Sequence, residues 1–137
     1  MDLDTAVGYV LKRAQVALRA AMDAALRAHD LTVPQYSCLE QLAYQPGLTN
    51  TELARGTFVS RQAMHQLLAT LKSLNLVHGD GGGRHERFTL TNIGTQRLAG
   101  ATAAVADIEE KMLASFDANQ RRRLRADLIT CATSLNS

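Results

Sequence analysis

The sequence predicts a mainly α-helical fold with one small β wing, and three observations carry that prediction. Apolar residues recur at spacings of three and four through both ends of the chain, the pattern of long amphipathic helices. Residues 49–75 hold a short capped helical pattern, a turn and a longer amphipathic helix. A glycine-rich break, Gly79-Asp80-Gly81-Gly82-Gly83, then separates two short β-prone stretches and is followed by Arg84, His85 and Arg87. Two short helices, a turn and a basic hairpin make a winged helix-turn-helix, a unit whose second helix fits a DNA major groove.

The first helix is expected from Leu3 to Leu26, with Leu3, Ala6, Val7, Val10, Leu11, Ala14, Leu18, Ala21 and Ala25 on its apolar stripe. Arg13, Arg19, Asp23 and Arg27 fall largely off that stripe. His29-Asp30 breaks the pattern. Pro34, tolerated in a first helical turn where no amide donor is needed, opens a second helix from about Gln35 to Tyr44. Its inward set is Tyr36, Leu39, Leu42 and Ala43, and Pro46-Gly47 ends it. Thr49 or Asn50 caps the third helix, with Glu52 placed to return to the cap's amide. Gly56-Thr57-Phe58 is expected to be the turn, with Phe58 packing it. The fourth helix runs from Val59 to Asn75 with Val59, Ala63, Met64, Leu67, Leu68, Leu71 and Leu74 on one apolar face. Ser60, Arg61, Gln62, His65, Gln66, Ala69 and Lys72 are left towards solvent or a partner.

Leu76-Val77-His78 and Arg87-Phe88-Thr89-Leu90 form the hairpin, and its glycines predict a loose tip. A long fifth helix is expected from Asn92 to about Phe116, striped by Leu98, Ala101, Val105, Ile108, Met112 and Phe116. Asp117 or Asn119 caps the last helix, which carries Leu124, Leu128, Ala132 and Leu135. The whole chain, 1–137, then forms a single domain, with 35–91 as the winged unit. Segments 1–30 and 92–137 are its long N- and C-terminal helical flanks.

At 137 residues and 46% hydrophobic composition the chain suits one domain with a real core. The net charge of +2 is mild, but its distribution is not. Between Thr49 and Arg97, Arg55, Arg61, Lys72, Arg84, Arg87 and Arg97 stand against Glu52, Asp80 and Glu86, a local charge of +3. Aromatic content of 4% without tryptophan offers little platform for stacking single-stranded bases, so duplex recognition through grooves and phosphates is the better-supported class. The acidic start, Met1-Asp2-Leu3-Asp4, has no signal-peptide pattern, and no apolar run approaches membrane-spanning length. A cytoplasmic protein with no membrane association is the expectation.

A helix offered to DNA needs short and medium polar side chains at its N-terminal end, where base edges are within reach and the helix dipole favours phosphate. Ser60, Arg61, Gln62, His65 and Gln66 supply them. Glutamine pairs with adenine, arginine with guanine, and hydroxyls with phosphate or base edges. Thr49 and Asn50 at the start of the third helix join the candidate set. Arg84, His85 and Arg87 give a basic finger suited to a minor groove or to phosphates, with Arg84 the favoured groove residue. Taken alone, each of these positions also reads as ordinary solvated surface; the capped helix before them and the basic hairpin after them favour the nucleic-acid reading.

Leu31-Thr32-Val33-Pro34-Gln35-Tyr36, Thr51-Glu52-Leu53-Ala54, Val59-Ser60-Arg61-Gln62, Leu74-Asn75-Leu76-Val77 and Leu90-Thr91-Asn92-Ile93-Gly94, in that order, resemble the MarR family of bacterial transcriptional regulators. The resemblance spans nearly the whole chain. It implies an obligate homodimer, built by interleaving the terminal helices, that binds pseudo-palindromic double-stranded DNA and commonly represses transcription. It also implies release from DNA by a small effector, often phenolic or lipophilic, and no cofactor. By position, Ser60, Arg61, Gln62, His65 and Gln66 match the family's recognition-helix face, and Arg84 matches the arginine of its Asp-x-Arg wing motif. Gly82 stands where that aspartate falls, and Asp80 is the nearest substitute.

Rival functions have less support. A thiol-based redox regulator would need Cys38 or Cys131 to be reactive; the default for a cysteine among core positions is a buried, inert thiol, and two such distant cysteines make neither a disulfide framework nor a zinc site. A protein-interaction module that buries the fourth helix in a partner conflicts with the polar Ser60-Arg61-Gln62 opening. No metal-ligand spacing surrounds His65 or His85. No nucleophile, base and orienting group occur in a recognisable motif, so an enzyme is not expected. The run Arg121, Arg122, Arg123 and Arg125 is expected to be solvated or engaged with Asp117 and Asp127.

Overall fold

The computed structural model describes residues 2–136. Along the chain it contains α1 (Val7–Arg27), α2 (Val33–Tyr44), β1 (Leu48–Thr49), α3 (Asn50–Thr57), α4 (Arg61–Ser73), β2 (Val77–Gly79), a single 3₁₀ turn (Gly83–His85), β3 (Arg87–Leu90), α5 (Asn92–Met112) and α6 (Ala118–Leu135). The fold is mainly α with a small antiparallel sheet in the order β1-β3-β2. Val77 pairs with Leu90 and Gly79 with Phe88 in the wing, and Leu48 with Phe88 on the other edge.

Caps set most helix starts. Thr32 and Gln35, Thr49 and Glu52, and Asp117 and Gln120 each form a reciprocal capping box, and the Ser60 hydroxyl accepts from the Ala63 amide at 3.0 Å. One device ends three helices, α1, α3 and α4. Asp30, Phe58 and Asn75 take left-handed conformations with φ of 53°, 61° and 59°. The amides of the apolar residues that follow, Leu31, Val59 and Leu76, reach back five positions to the carbonyls of Leu26, Ala54 and Leu71 at 3.1, 3.1 and 2.9 Å.

The core lies where α2, α3, α4 and the sheet meet, centred on Leu39, Leu42, Leu53, Met64, Leu71 and Leu76, all at most 1% exposed. The C-terminal part of α1 and the first turns of α5 close it through Leu26, Leu98 and Ala101. Gly94 permits that closure, since a Cβ there would stand 2.0 Å from the Leu76 carbonyl oxygen. Thr91 locks the same junction: its hydroxyl donates to the Asn75 carbonyl at 2.6 Å and accepts from the Gly94 amide at 3.0 Å. The Leu90-Thr91-Asn92-Ile93-Gly94 motif is therefore a joint between wing and helix.

Several expectations are corrected. The first helix starts at Val7, not Leu3, because the amides of Thr5 and Ala6 both turn back onto the Asp2 carbonyl. The second starts two residues early, after its Thr32 cap. Ala43 is exposed, because the last turn of α2 runs past its packing partners, as the 88% exposure of Tyr44 shows. Gly56 and Thr57 stay helical, and the turn is Phe58-Val59-Ser60. Phe58 does not pack that turn; it is 94% exposed, because its left-handed backbone aims the turn's apolar contact through Val59 instead. The fourth helix spans Arg61–Ser73 rather than Val59 to Asn75. Ala63 and Leu74 leave its inward face, the first lying in the opening turn and the second giving its core place to Leu76. The fifth helix stops at Met112, short of Phe116, where the chain turns towards the Asp117 cap.

Candidate nucleic-acid interface

The polar face of α4 and the wing converge on one open cleft of about 1020 Å³. Arg61, Gln62, His65, Ala69 and Lys72 line it from α4, Thr49, Asn50, Thr51 and Glu52 from the start of α3, and Gly83, Arg84, His85, Glu86 and Phe88 from the wing. The start of α3 sits on this wall, where the positive end of its dipole favours an anion. Among the described residues Arg84 makes no hydrogen bond or ion pair to the protein, so its guanidinium is free for an external partner.

Of the ten residues singled out from the sequence, seven meet in this cleft: Thr49, Asn50, Arg61, Gln62, His65, Arg84 and His85. Three do not line it. Ser60 is committed to capping α4, and Gln66 is exposed outside the cleft. Arg87 is turned to the β1 edge, where its Nη1 donates to the Gly47 carbonyl at 2.8 Å. Arg87 thus braces the sheet, because as the partner of Thr49 in the ladder it lies against the loop that precedes β1.

Two carboxylates organise the wing. Asp80 Oδ1 accepts from the amides of Arg87 at 3.1 Å and Gly82 at 3.0 Å, and these bonds hold its carboxyl below the usual carboxylate range. Asp80 therefore orders the wing backbone and does not orient the Arg84 side chain. Glu86 Oε2 accepts from Lys72 Nζ and from the Gly81 amide, each at 3.3 Å. The glycine-rich tip is tied down, contrary to the loose tip expected from its composition. Glu52 is likewise held low, first by the Thr49 amide and hydroxyl that it caps and then by Arg87 and Arg55.

Lys72 and Glu86 belong to this site and were not among the sequence candidates. Lys72 was legible, since Arg61, His65 and Lys72 repeat at i, i+4 and i+11 along one helix face. Glu86 gave no such signal, because its partners lie across the hairpin.

The other features are structural. Cys38 is fully buried with its Sγ 4.0 Å from Met64 Sδ, and burial pushes its thiol up to about 12, so it holds its proton at neutral pH. Cys131 is exposed on α6. Arg121 pairs with Glu110 through two bonds of 2.8 and 2.9 Å rather than with Asp117, whose carboxylate is occupied in the capping box. Arg123 pairs with Asp127 one turn on. Among the described residues no group of three or more His, Cys, Asp and Glu side chains is placed to hold a metal ion, and no helix is long and apolar enough to cross a membrane.

A capped helix, a turn, a polar-faced second helix and an ordered basic wing around one cleft define a winged helix-turn-helix protein. Residues 29–85 match the family model described as the MarR family. The chain is 35% identical over 125 residues to the HTH-type transcriptional repressor Rv2887 of Mycobacterium tuberculosis, covering 89% of this chain and 90% of that protein. The crystal structure of Rv2887 in complex with DNA superposes with a TM-score of 0.79 at 33% identity, over 93% of this chain and 98% of the other. Its complex with salicylic acid gives a TM-score of 0.75 at 34% identity, over 93% and 96%. This chain belongs to the MarR family of DNA-binding transcriptional regulators.

Proposed function

We propose that the chain acts as a homodimeric repressor that binds pseudo-palindromic duplex operators and leaves them when a small aromatic acid binds. The cleft carries this reading: it gathers Arg61, Gln62, His65, Lys72, Arg84 and His85 between one helix and one wing. In a two-fold dimer the two α4 helices enter successive major grooves about 34–36 Å apart. Phosphate contacts supply affinity and the α4 face supplies sequence preference. Dimerisation is supported by the apolar side chains that the terminal helices leave uncovered, among them Val7, Leu11, Val16 and Ile129 at 76%, 47%, 56% and 48% exposure. Repression and the effector class are carried over from Rv2887, a repressor whose structures include DNA and salicylic acid complexes.

Fluorescence anisotropy with a labelled operator duplex tests the assignment. Arg84→Ala is expected to weaken binding across sequences and to lower the salt slope by about 1, whereas Gln62→Ala relaxes preference at one base pair by about 1–3 kcal/mol. Salicylate is expected to lower the affinity of the parent protein. Operator affinity unchanged in both variants would sink the assignment of roles.

A further inference from the structure

Four of the five residues from Gly79 to Gly83 are glycine, so the wing tip has little intrinsic stiffness. Its place against α4 depends on a side chain that arrives from the far side of the hairpin. Glu86 Oε2 receives Lys72 Nζ from the helix and the Gly81 amide from the tip, both at 3.3 Å. The Glu86 side chain is only 18% exposed, against 45% for Lys72. Lys72 Nζ also lies 5.7 Å from the centroid of the Phe88 ring, itself buried in β3. The hairpin is shaped around this carboxylate, since a Cβ on Gly79 would stand 1.8 Å from the same Oε2 atom. Asp80 closes the tip on itself; Glu86 ties it to the helix.

We propose that Glu86 is a positioning residue for DNA binding: clamped between Lys72 and the Gly81 amide, it holds the wing at a fixed place relative to α4, so that Arg84 and the α4 face meet one duplex as a single body. This rests on the DNA-facing reading of the cleft. The proposal runs against simple electrostatics, because a carboxylate in a DNA-facing cleft repels phosphate and its removal alone should tighten binding. Positioning predicts the opposite sign. A flexible wing must be ordered as it binds, and that entropy comes out of the affinity.

The test uses the full chain and a labelled duplex recovered by selection from random-sequence DNA. Glu86→Ala is expected to bind about threefold to tenfold more weakly than the parent. Glu86→Gln, which keeps an acceptor for the Gly81 amide but not the charge facing Lys72, should lose less. In an Arg84→Ala background the Glu86→Ala loss should vanish, because the arginine that Glu86 positions is gone and the other wing arginine, Arg87, is held on the Gly47 carbonyl. Hydrogen exchange on the free protein should quicken at Gly81 in Glu86→Ala and stay unchanged at the core amide of Leu39, which also shows that the variant is folded. Tighter or equal binding by Glu86→Ala, an equal loss in the Arg84→Ala background, or unaltered Gly81 exchange each overturns the proposal. A parent chain that binds no duplex overturns the reading of the cleft and the proposal with it, whereas a binding parent with an unaffected Glu86→Ala overturns the proposal alone.

Discussion

The central winged unit and the terminal helices are built from the same residue types at the same helical spacing, yet they differ in what covers them. In α2, α3 and α4 the apolar stripe is closed off from water, with Leu39, Leu53, Met64 and Leu71 at 0% exposure. In α1 only Leu26 is buried, and in α6 no residue is. Leu135 is 86% exposed and Met112 47%. Periodicity tells which face of a helix is apolar; it does not tell whether the same chain supplies the cover. A unit that completes its own core can hold a reading surface rigid. Flanking helices with uncovered faces are suited to joining two such units.

The largest expected effect tests the closed half. Met64→Ala removes a side chain packed between α4 and Cys38, and should lower stability by about 2–5 kcal/mol in urea unfolding. A cost well under 1 kcal/mol would mean that the core is not closed there. Next comes the open half. Leu11→Asp places a charge on the exposed face of α1, and under the dimer proposal it should raise the dimer dissociation constant by about tenfold or more in sedimentation experiments, while far-ultraviolet circular dichroism stays near that of the parent. A mass unaffected by the substitution would contradict an interface on that face.

A smaller effect concerns backbone strain. Phe58 holds φ of 61° at 94% exposure, so Phe58→Gly loses almost no packing and relieves a left-handed conformation; a gain of about 0.5–1 kcal/mol is expected. Destabilisation instead would show that the phenyl ring has a covering partner.

The two thiols sharpen the contrast at the smallest scale. Cys131 should react with iodoacetamide in the native protein, and Cys38 only after unfolding. The folded Cys38 keeps its proton to about 12 while the unfolded thiol ionises near 8.5. Its contribution is thus fully present below the unfolded value and declines as pH rises above it. Glu52 and Asp80 act in the other direction. Their folded values are depressed, so their contribution is present above the carboxylate range and is lost as pH falls through it. Stability measured against pH should therefore fall on both flanks, and a curve that rises on the alkaline side would contradict the burial of Cys38.

Local chemistry is what the sequence reveals well. Thr49 with Glu52, and Asp117, cap the helices they precede, and the polar face of α4 from Arg61 to Lys72 follows from spacing alone, whereas Ser60 fits that face by period but caps the helix instead. Features that depend on distant partners were not legible. β1 is two residues long and exists because Leu48 meets Phe88, forty positions away. Glu86 acquires its meaning from Lys72 and Gly81 across a turn, and Arg87, a natural DNA contact by composition, is diverted to the Gly47 carbonyl. Ala43, Ala63 and Leu74 fit the apolar period but sit at helix ends, where the period outlasts the packing. The left-handed turn at Phe58 was hidden because glycine and asparagine, not phenylalanine, advertise that conformation.

The central claim is that the cleft between α4 and the wing reads duplex DNA as one half of a symmetric pair. Selection of bound sequences from random duplex DNA tests it most directly. The account predicts an inverted repeat whose half-sites lie about one helical turn apart, 10–10.5 base pairs centre to centre. A single asymmetric motif, or no enrichment above the starting pool, would contradict it.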